Sequence, residues 1–287
     1  MITIKDVLSQ GTNRLRHYSK SGTPYLDALL LMAHTLKKSK EQIIASLDEV
    51  IWEVDAIQFG NQIQQRMTGI PVAYLIKRKE FYGLEFYVDH RVLIPRPDTE
   101  ILVETALHLA EEREDLTILD LCTGSGCIGI SLTHELLEKP FTGDLQLTLS
   151  DISSEALSVS ALNARNILGS EPPTIESDLF TKIPGSFDII ISNPPYLTDQ
   201  ESNKPELLAR KEPDIALRSG TDGLVHMREI IKDAYKHLNP QGYLILEGGF
   251  DQAERIRELL ICNGYTSVMS KKDLGGNDRV VYGMRTH

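Results

Sequence analysis

From residue 116 onward the chain alternates short apolar runs with amphipathic stretches, and few architectures accept that order. Residues 116–121, 145–150, 187–192 and 243–246 read as strands rich in Leu and Ile. Helical stretches near 127–137, 154–168, 223–238 and 252–262 separate them. Runs that are apolar on both faces, joined by helices, predict a parallel sheet covered on both sides, a Rossmann-like α/β domain. Ligands of such sheets bind at the carboxyl ends of the strands, so the residues at those ends carry the functional information.

The first run ends in Asp120-Leu121-Cys122-Thr123-Gly124-Ser125-Gly126, and a helix follows. Gly124 and Gly126 allow a tight turn and close backbone approach to a ligand. The free N–H groups of the helix start suit a carboxylate or phosphate. Gly124 to Gly129 matches G-x-G-x-x-G, which alone is only a dinucleotide pattern. Asp120 tilts the choice. A pyrophosphate would meet its fixed negative charge, whereas the ammonium and sulfonium of S-adenosylmethionine would be attracted. Asp151 ends the second run, placed to accept hydrogen bonds from ribose hydroxyls of either cofactor. Asp178 and Leu179 follow the third strand, where they can meet the amino edge and the face of an adenine. For Asp151 and Asp178 the plain alternative is helix capping.

The run 187–192 leads into Asn193-Pro194-Pro195-Tyr196, the most specific signal in the chain. Two prolines hold the backbone extended and remove two N–H donors. What remains is an acceptor pair, the Asn193 side-chain carbonyl and the Pro194 main-chain carbonyl, which can hold both hydrogens of one planar NH2 group. That grip fixes the nitrogen lone pair toward a sulfonium methyl, and alignment of this kind is worth roughly 7–11 kcal/mol when fully realised. Tyr196 offers a flat face for a planar amide or base. No charged general base is required, because the nitrogen becomes acidic as it gains the methyl. The motif fits adenine, guanine or glutamine equally.

Residues 1–75 show helical spacing instead. Leu26, Leu29, Leu30, Ala33 and Leu36 form one candidate buried face behind a Thr23-Pro24 helix start. Val54, Ile57, Ile63 and Met67 form another. The reading divides the chain into an all-helical substrate-docking domain over 1–75, a hairpin linker over 76–92 and a catalytic domain over 93–287. The hairpin is signalled by Phe81-Tyr82-Gly83-Leu84-Glu85-Phe86. In 94–100, Pro95 and Pro97 exclude a strand or helix interior, but Pro97 or Asp98 can start a helix.

Charge narrows the partners. Residues 1–75 carry 8 basic and 7 acidic side chains and the remainder 22 and 34, so the larger part has a net charge of −12. That surface suits neither duplex binding nor a phosphate backbone. No apolar run approaches a membrane span, and the N-terminus shows no secretory signal. Cys122, Cys127 and Cys262 form neither a disulfide framework nor a zinc pattern, so no metal is expected and the expected compartment is the cytoplasm.

Several further segments resemble the release factor glutamine methyltransferase family (PrmC/HemK): Gly69-Ile70-Pro71-Val72-Ala73-Tyr74, Glu80-Phe81, Leu93-Ile94-Pro95-Arg96-Pro97-Asp98-Thr99-Glu100, Glu247-Gly248-Gly249 with Gln252, and Asn277-Asp278-Arg279-Val280. The resemblance covers essentially the whole chain. It implies a class I S-adenosylmethionine-dependent methyltransferase domain behind a helical N-terminal domain that helps to hold the release factor. It implies S-adenosylmethionine as cofactor, S-adenosylhomocysteine as product, and the glutamine of the Gly-Gly-Gln loop of peptide chain release factors as substrate. By the same resemblance Cys122, Thr123, Gly124, Ser125, Gly126, Asp151, Leu179 and Asn193 line the cofactor, and Asn193 to Tyr196 receive the glutamine. The chain departs from the family at Cys122, where glycine is usual, and at Lys77-Arg78-Lys79, where a glycine is usual; the triplet reads as a solvated face. The rival readings are a nucleic-acid amino methyltransferase and an NAD-linked oxidoreductase.

Overall fold

The computed structural model describes residues 2–18, 22–111, 113, 115–139, 143–204, 211–273 and 275–286. The chain divides into two compact units, Met1–Arg78 with Pro205–Lys211, and Lys79–Lys204 with Glu212–His287.

The described part of the first unit is helical: α1 Ile4–Tyr18, α2 Pro24–Leu36, α3 Lys40–Ala45, α4 Glu53–Met67 and α5 Val72–Ile76. Its core is built from Leu8, Leu15, Leu31, Met32, Ile43, Phe59 and Ile63. The buried faces differ from those read off the spacing. On α2 the covered residues include Ala28, Leu29, Leu31, Met32 and Ala33, while Leu26 is 44% exposed. On α4 Phe59 and Ile63 point inward, and Val54 and Ile57 face outward. Pro24-Tyr25-Leu26 to Leu36 is apolar nearly all round, so periodicity alone had no polar side against which to fix the face.

The second unit opens with a hairpin, β1 Lys79–Phe81 and β2 Leu84–Phe86, paired Phe81 to Leu84. Tyr82 and Gly83 both have positive φ (51° and 72°), the backbone of a type I′ turn. Tyr82 accepts that conformation in a non-glycine residue, and its N–H donates to Glu100 Oε1 at 3.1 Å. A 3-10 turn at Pro97–Thr99 then starts α6, Glu100–Ala110.

Seven strands follow: β3 Leu116–Leu121, β4 Leu145–Asp151, β5 Thr174–Glu176, β6 Phe187–Ser192, β7 Leu238–Glu247, β8 Thr266–Lys272 and β9 Asp278–Met284. Their order is β5-β4-β3-β6-β7-β9-β8. The sheet is mixed and not wholly parallel as expected, because β9 runs antiparallel between β7 and β8. Helices α7 Cys127–Glu138, α8 Ser154–Leu168, α9 Asp199–Ser202, α10 Val225–His237 and α11 Ala253–Cys262 complete the unit among the described residues.

Alternate residues of the central strands feed two cores. Ile118, Ile189, Ile191 and Ile245 pack with α6, α7 and α8 residues such as Leu102, Ile130 and Ala164. Leu119, Ile190, Leu244 and Leu246 pack with Met227, Ile231, Ile256 and Leu260 of α10 and α11. Burial on both faces explains the unbroken apolar runs. Chain order reverses between β3 and β6, which pair in parallel with Leu121 opposite Ser192. The residues just after those two strands are therefore neighbours. Among the described residues no helix is long and apolar enough to cross a membrane.

Candidate active site

A cleft enclosing about 1030 Å³, open solvent at its mouth included, lies over the carboxyl ends of β3, β4 and β6. Cys122, Thr123, Gly124, Ser125, Asp151, Asp178, Leu179, Asn193 and Pro195 line it. Asp120, Gly126, Pro194 and Tyr196 do not, and the bonds around Asp120, Gly126 and Tyr196 show what those three do instead.

After Leu121 the backbone enters the left-handed region at Cys122 (φ 60°), Gly124 (53°) and Gly126 (81°), and Gly126 caps α7. The turn is held from both sides. Thr123 N–H donates to Ser150 O at 2.9 Å and Gly124 N–H to Asp151 Oδ2 at 2.9 Å. Asp120 lies beneath, with no exposed surface. Its Oδ2 accepts from Thr123 Oγ1 at 2.7 Å and from Gly129 N at 3.0 Å. A Cβ at Gly129 would sit 2.8 Å from the Asp120 Cβ, so the last glycine of the motif serves helix-to-strand packing. Burial pushes the Asp120 carboxyl up to about 7, against the pull of Thr123 and Gly129. Asp120 supports the turn from below and does not line the cleft, while its Oδ1 has no hydrogen-bond partner among the described residues.

Asp151 Oδ1 accepts from Ser153 N–H at 3.0 Å and Oδ2 from Gly124. A carboxylate has about four lone-pair sites, so Asp151 keeps acceptor capacity for a ligand hydroxyl. Burial raises its pKa. Ser153, not Asp151, caps α8. Leu179 also has a positive φ (45°), and its carbonyl accepts from Ser177 Oγ at 2.8 Å, which fixes the loop at that end of the cleft.

At the reacting end Asn193 Nδ2 donates to Thr99 Oγ1 at 3.3 Å. With its NH2 turned back to Thr99, Asn193 has its carbonyl oxygen available on the other side. The Tyr196 hydroxyl donates to Glu247 Oε1 at 3.3 Å, and its main-chain carbonyl accepts from Gln252 Nε2 at 3.0 Å. Burial and the Glu247 charge push the Tyr196 phenol up. A Cβ at Gly223 (φ 73°) would lie 2.4 Å from that same carbonyl, so the Gly223 turn presses directly on the motif.

Sequence reasoning assigned no role to six other contributors. Asn163, on α8, ties the glycine turn to the segment after the hairpin: it donates to Ser125 O at 2.8 Å and Tyr87 O at 3.0 Å, and accepts from Tyr87 N–H at 2.8 Å. Arg91 lines the cleft, held by two bonds to Asp89 at 2.9 and 2.8 Å. Burial pulls the other way, yet those bonds hold the Asp89 carboxyl well below the usual range. Arg96 donates to Glu212 Oε2 at 2.5 Å, anchoring the wall that brings Pro213, Ile215 and Ala216 to the cleft. His226 also lines it, with Nδ1 2.9 Å from Ser219 Oγ. Arg96, Thr99 and Glu247 stood inside segments already singled out; nothing local marked Asn163 or His226.

A family model described as the PrmC N-terminal domain matches residues 6–76, and one described as a methyltransferase small domain matches 97–210. The release factor glutamine methyltransferase of Haemophilus influenzae is 36% identical, over 97% of this chain and 98% of its own. That of Shewanella oneidensis is 35% identical over 92% of this chain and 91% of its own. A methyltransferase structure from Pyrococcus furiosus matches 79% of this chain and all of its own with a TM-score of 0.52 at 20% identity, a likeness of fold.

Proposed function

Since the chain belongs to the release factor glutamine methyltransferase family, we propose a residue-level account of how it methylates the side-chain amide nitrogen of the glutamine in the Gly-Gly-Gln motif of peptide chain release factors. The chain is an S-adenosylmethionine-dependent protein-glutamine N-methyltransferase. One observation carries the account: the glycine turn after β3 and the Asn193 motif after β6 stand side by side on one cleft.

The donor set fits S-adenosylmethionine. Cys122 to Ser125 form a turn free of side-chain bulk at Gly124, where a Cβ would meet nothing within 4 Å. Asp151 would receive the ribose hydroxyls, and Asp178 and Leu179 the adenine. When bound, the cofactor supplies an electrophilic methyl on a sulfonium and leaves as S-adenosylhomocysteine. Asn193, which lines the cleft, accepts one hydrogen of the substrate amide through Oδ1, and the main-chain carbonyl of Pro194, held between the cleft-lining Asn193 and Pro195, accepts the other. The two fixed acceptors hold the nitrogen in one orientation and stabilise positive charge as it develops there. Pro195 and Ile215 offer apolar contact to the aliphatic part of the glutamine. Tyr196 acts by anchoring the motif to Glu247 and Gln252, in place of stacking on the amide.

The helical unit is the docking element for the release factor in this reading. The acidic second unit argues against a nucleic-acid substrate. A translation factor as substrate supports a cytoplasmic location in this reading. The test is incubation with labelled S-adenosylmethionine and purified release factor, DNA or ribosomal RNA, followed by mass spectrometry of the Gly-Gly-Gln peptide. We expect one methyl on the glutamine; label in nucleic acid alone would overturn the reading.

A further inference from the structure

The wall of the cleft beside the Asn193 motif carries a histidine. Leu197 N–H donates to Leu217 O at 2.9 Å, Ser219 N–H to Leu197 O at 2.8 Å and Asp199 N–H to Gly220 O at 2.9 Å. Residues 217–220 therefore run beside the chain that leaves Tyr196. His226, the second residue of α10, is half-buried and lines the cleft. Its ring is tied back to this segment. Nδ1 lies 2.9 Å from Ser219 Oγ, and the His226 main-chain N–H donates to the same oxygen at 3.2 Å. The other ring nitrogen, Nε2, meets no partner among the described residues.

The tie sets which nitrogen carries the hydrogen. A hydroxyl has one hydrogen and two lone pairs. Ser219 is 1% exposed, so its hydroxyl hydrogen is shielded from solvent and needs an acceptor in the protein. One lone pair of Oγ is taken by the His226 main-chain N–H, and among the described residues the acceptor in reach of the hydrogen is His226 Nδ1. Ser219 therefore donates to Nδ1, and the neutral ring holds its own hydrogen on Nε2. The opposite tautomer would leave the buried hydroxyl hydrogen unbonded. A protonated ring carries a hydrogen on Nε2 as well, so that nitrogen is an N–H donor in either state.

We propose that His226 binds the substrate, its Nε2–H donating to a main-chain carbonyl of the Gly-Gly-Gln segment, with Ser219 as the positioning residue that fixes the ring. The inference rests on the substrate given above. The two glycines have no side chains, so a site that selects them can grip only main-chain N–H and C=O groups. On the same wall Pro195, Pro213, Ile215 and Ala216 bring no side-chain donor. The glutamine side-chain oxygen is the wrong acceptor for this N–H. A donor there would draw the nitrogen lone pair further into the carbonyl and blunt the nucleophile. A main-chain carbonyl undergoes no charge change as the methyl transfers. The bond is then as strong in the bound substrate as in the transition state, so it lowers KM and leaves kcat alone.

The experiment measures kcat and KM on purified release factor, with cofactor Kd by calorimetry, for the wild type and for His226→Phe, His226→Asn and His226→Gln. Phenylalanine keeps a ring without nitrogens. Asparagine reaches the place of Nδ1 but not that of Nε2, and glutamine can bring an N–H to the place of Nε2. We expect KM to rise about 10-fold in His226→Phe and His226→Asn, the scale of one hydrogen bond, with kcat and cofactor Kd near the wild-type values. His226→Gln should recover most of the loss. An unchanged KM in His226→Phe overturns the proposal, as does a His226→Gln no better than His226→Asn. A fall in kcat with KM unchanged also overturns it, since that marks a disturbed Asn193 motif. Nitrogen-15 NMR of the histidine-labelled wild type, recorded on neutral rings, needs no active variant. The His226 signals, identified by their loss in His226→Gln, should show a bare Nδ1 and a hydrogen on Nε2; a hydrogen on Nδ1 overturns the proposal. A wild type that does not methylate release factor overturns the parent reading, an outcome distinct from a wild type that methylates beside an unaffected His226→Phe.

Discussion

Cys122 holds a left-handed backbone (φ 60°) at the first residue of the cofactor turn. Replacing it with alanine and, separately, with glycine isolates the strain, because both variants lack the thiol and differ only in Cβ. The thiol carries no charge to lose, since burial pushes it up. A side chain in this conformation costs about 1–2 kcal/mol, and glycine costs about 0.5–1 kcal/mol through the freedom of the unfolded chain. The difference leaves the glycine variant more stable by roughly 0.5–1 kcal/mol. The sign is the reverse of that in a helix interior, where alanine is favoured over glycine. For a domain of this size 1 kcal/mol moves the thermal midpoint by about 2–4 °C, so scanning calorimetry without cofactor should place Cys122→Gly roughly 1–4 °C above Cys122→Ala. Cofactor Kd should be equal or tighter for the glycine variant, because the turn it must hold is relaxed. An alanine variant as stable as the glycine one would refute the argument that position 122 stores strain.

Three further outcomes are expected. Asn193→Ala should abolish methyl transfer while calorimetry still finds cofactor binding; turnover near normal would sink the two-acceptor account. Asp151→Ala should weaken cofactor binding by roughly 1–3 kcal/mol for lost charge-assisted hydrogen bonds, with added looseness at Gly124, and an unchanged Kd would remove Asp151 from the site. Gly223→Ala should cut kcat by about 100-fold, since its Cβ would press on a Tyr196 main-chain carbonyl 2.4 Å away that rigid backbone cannot move without displacing the motif. Normal turnover in that variant would show that the Gly223 contact does not position Asn193.

The central strands were legible because burial on both faces writes them as continuous Leu and Ile runs, and β3 and β6 begin and end where those runs do. The last two strands carried no such mark. β8, Thr-Ser-Val-Met-Ser-Lys-Lys, is half exposed along its length, and β9 contains Asp278, Arg279 and Gly283. The site divides the same way. Residues adjacent in sequence to a strand end, such as Gly124, Asp151 and Asn193, were legible. The partners that orient them come from 94 residues away for Asn193 and Thr99, and 38 for Asn163 and Ser125, and no local pattern reports a bond of that span. For Asp120 the sequence leaves the direction open: a carboxylate at a strand end can point over the turn or under it, and the bonds of Oδ2 to Thr123 and Gly129 hold that oxygen beneath the turn.

The reversed strand β9 sits between β7 and β8, not at the edge of the sheet. A nascent chain on the ribosome cannot insert it until residues up to Met284 have emerged, and β8 has no partner before then. The same strand delivers Arg279, the cation that favours the charged form of Glu247. β4, β5, β6 and β7 each pair with a strand that precedes them in the chain, whereas Glu247 gains the Arg279 charge only once β9 is in place. The charge around Glu247 is thereby tied to one strand that pairs after the rest of the sheet.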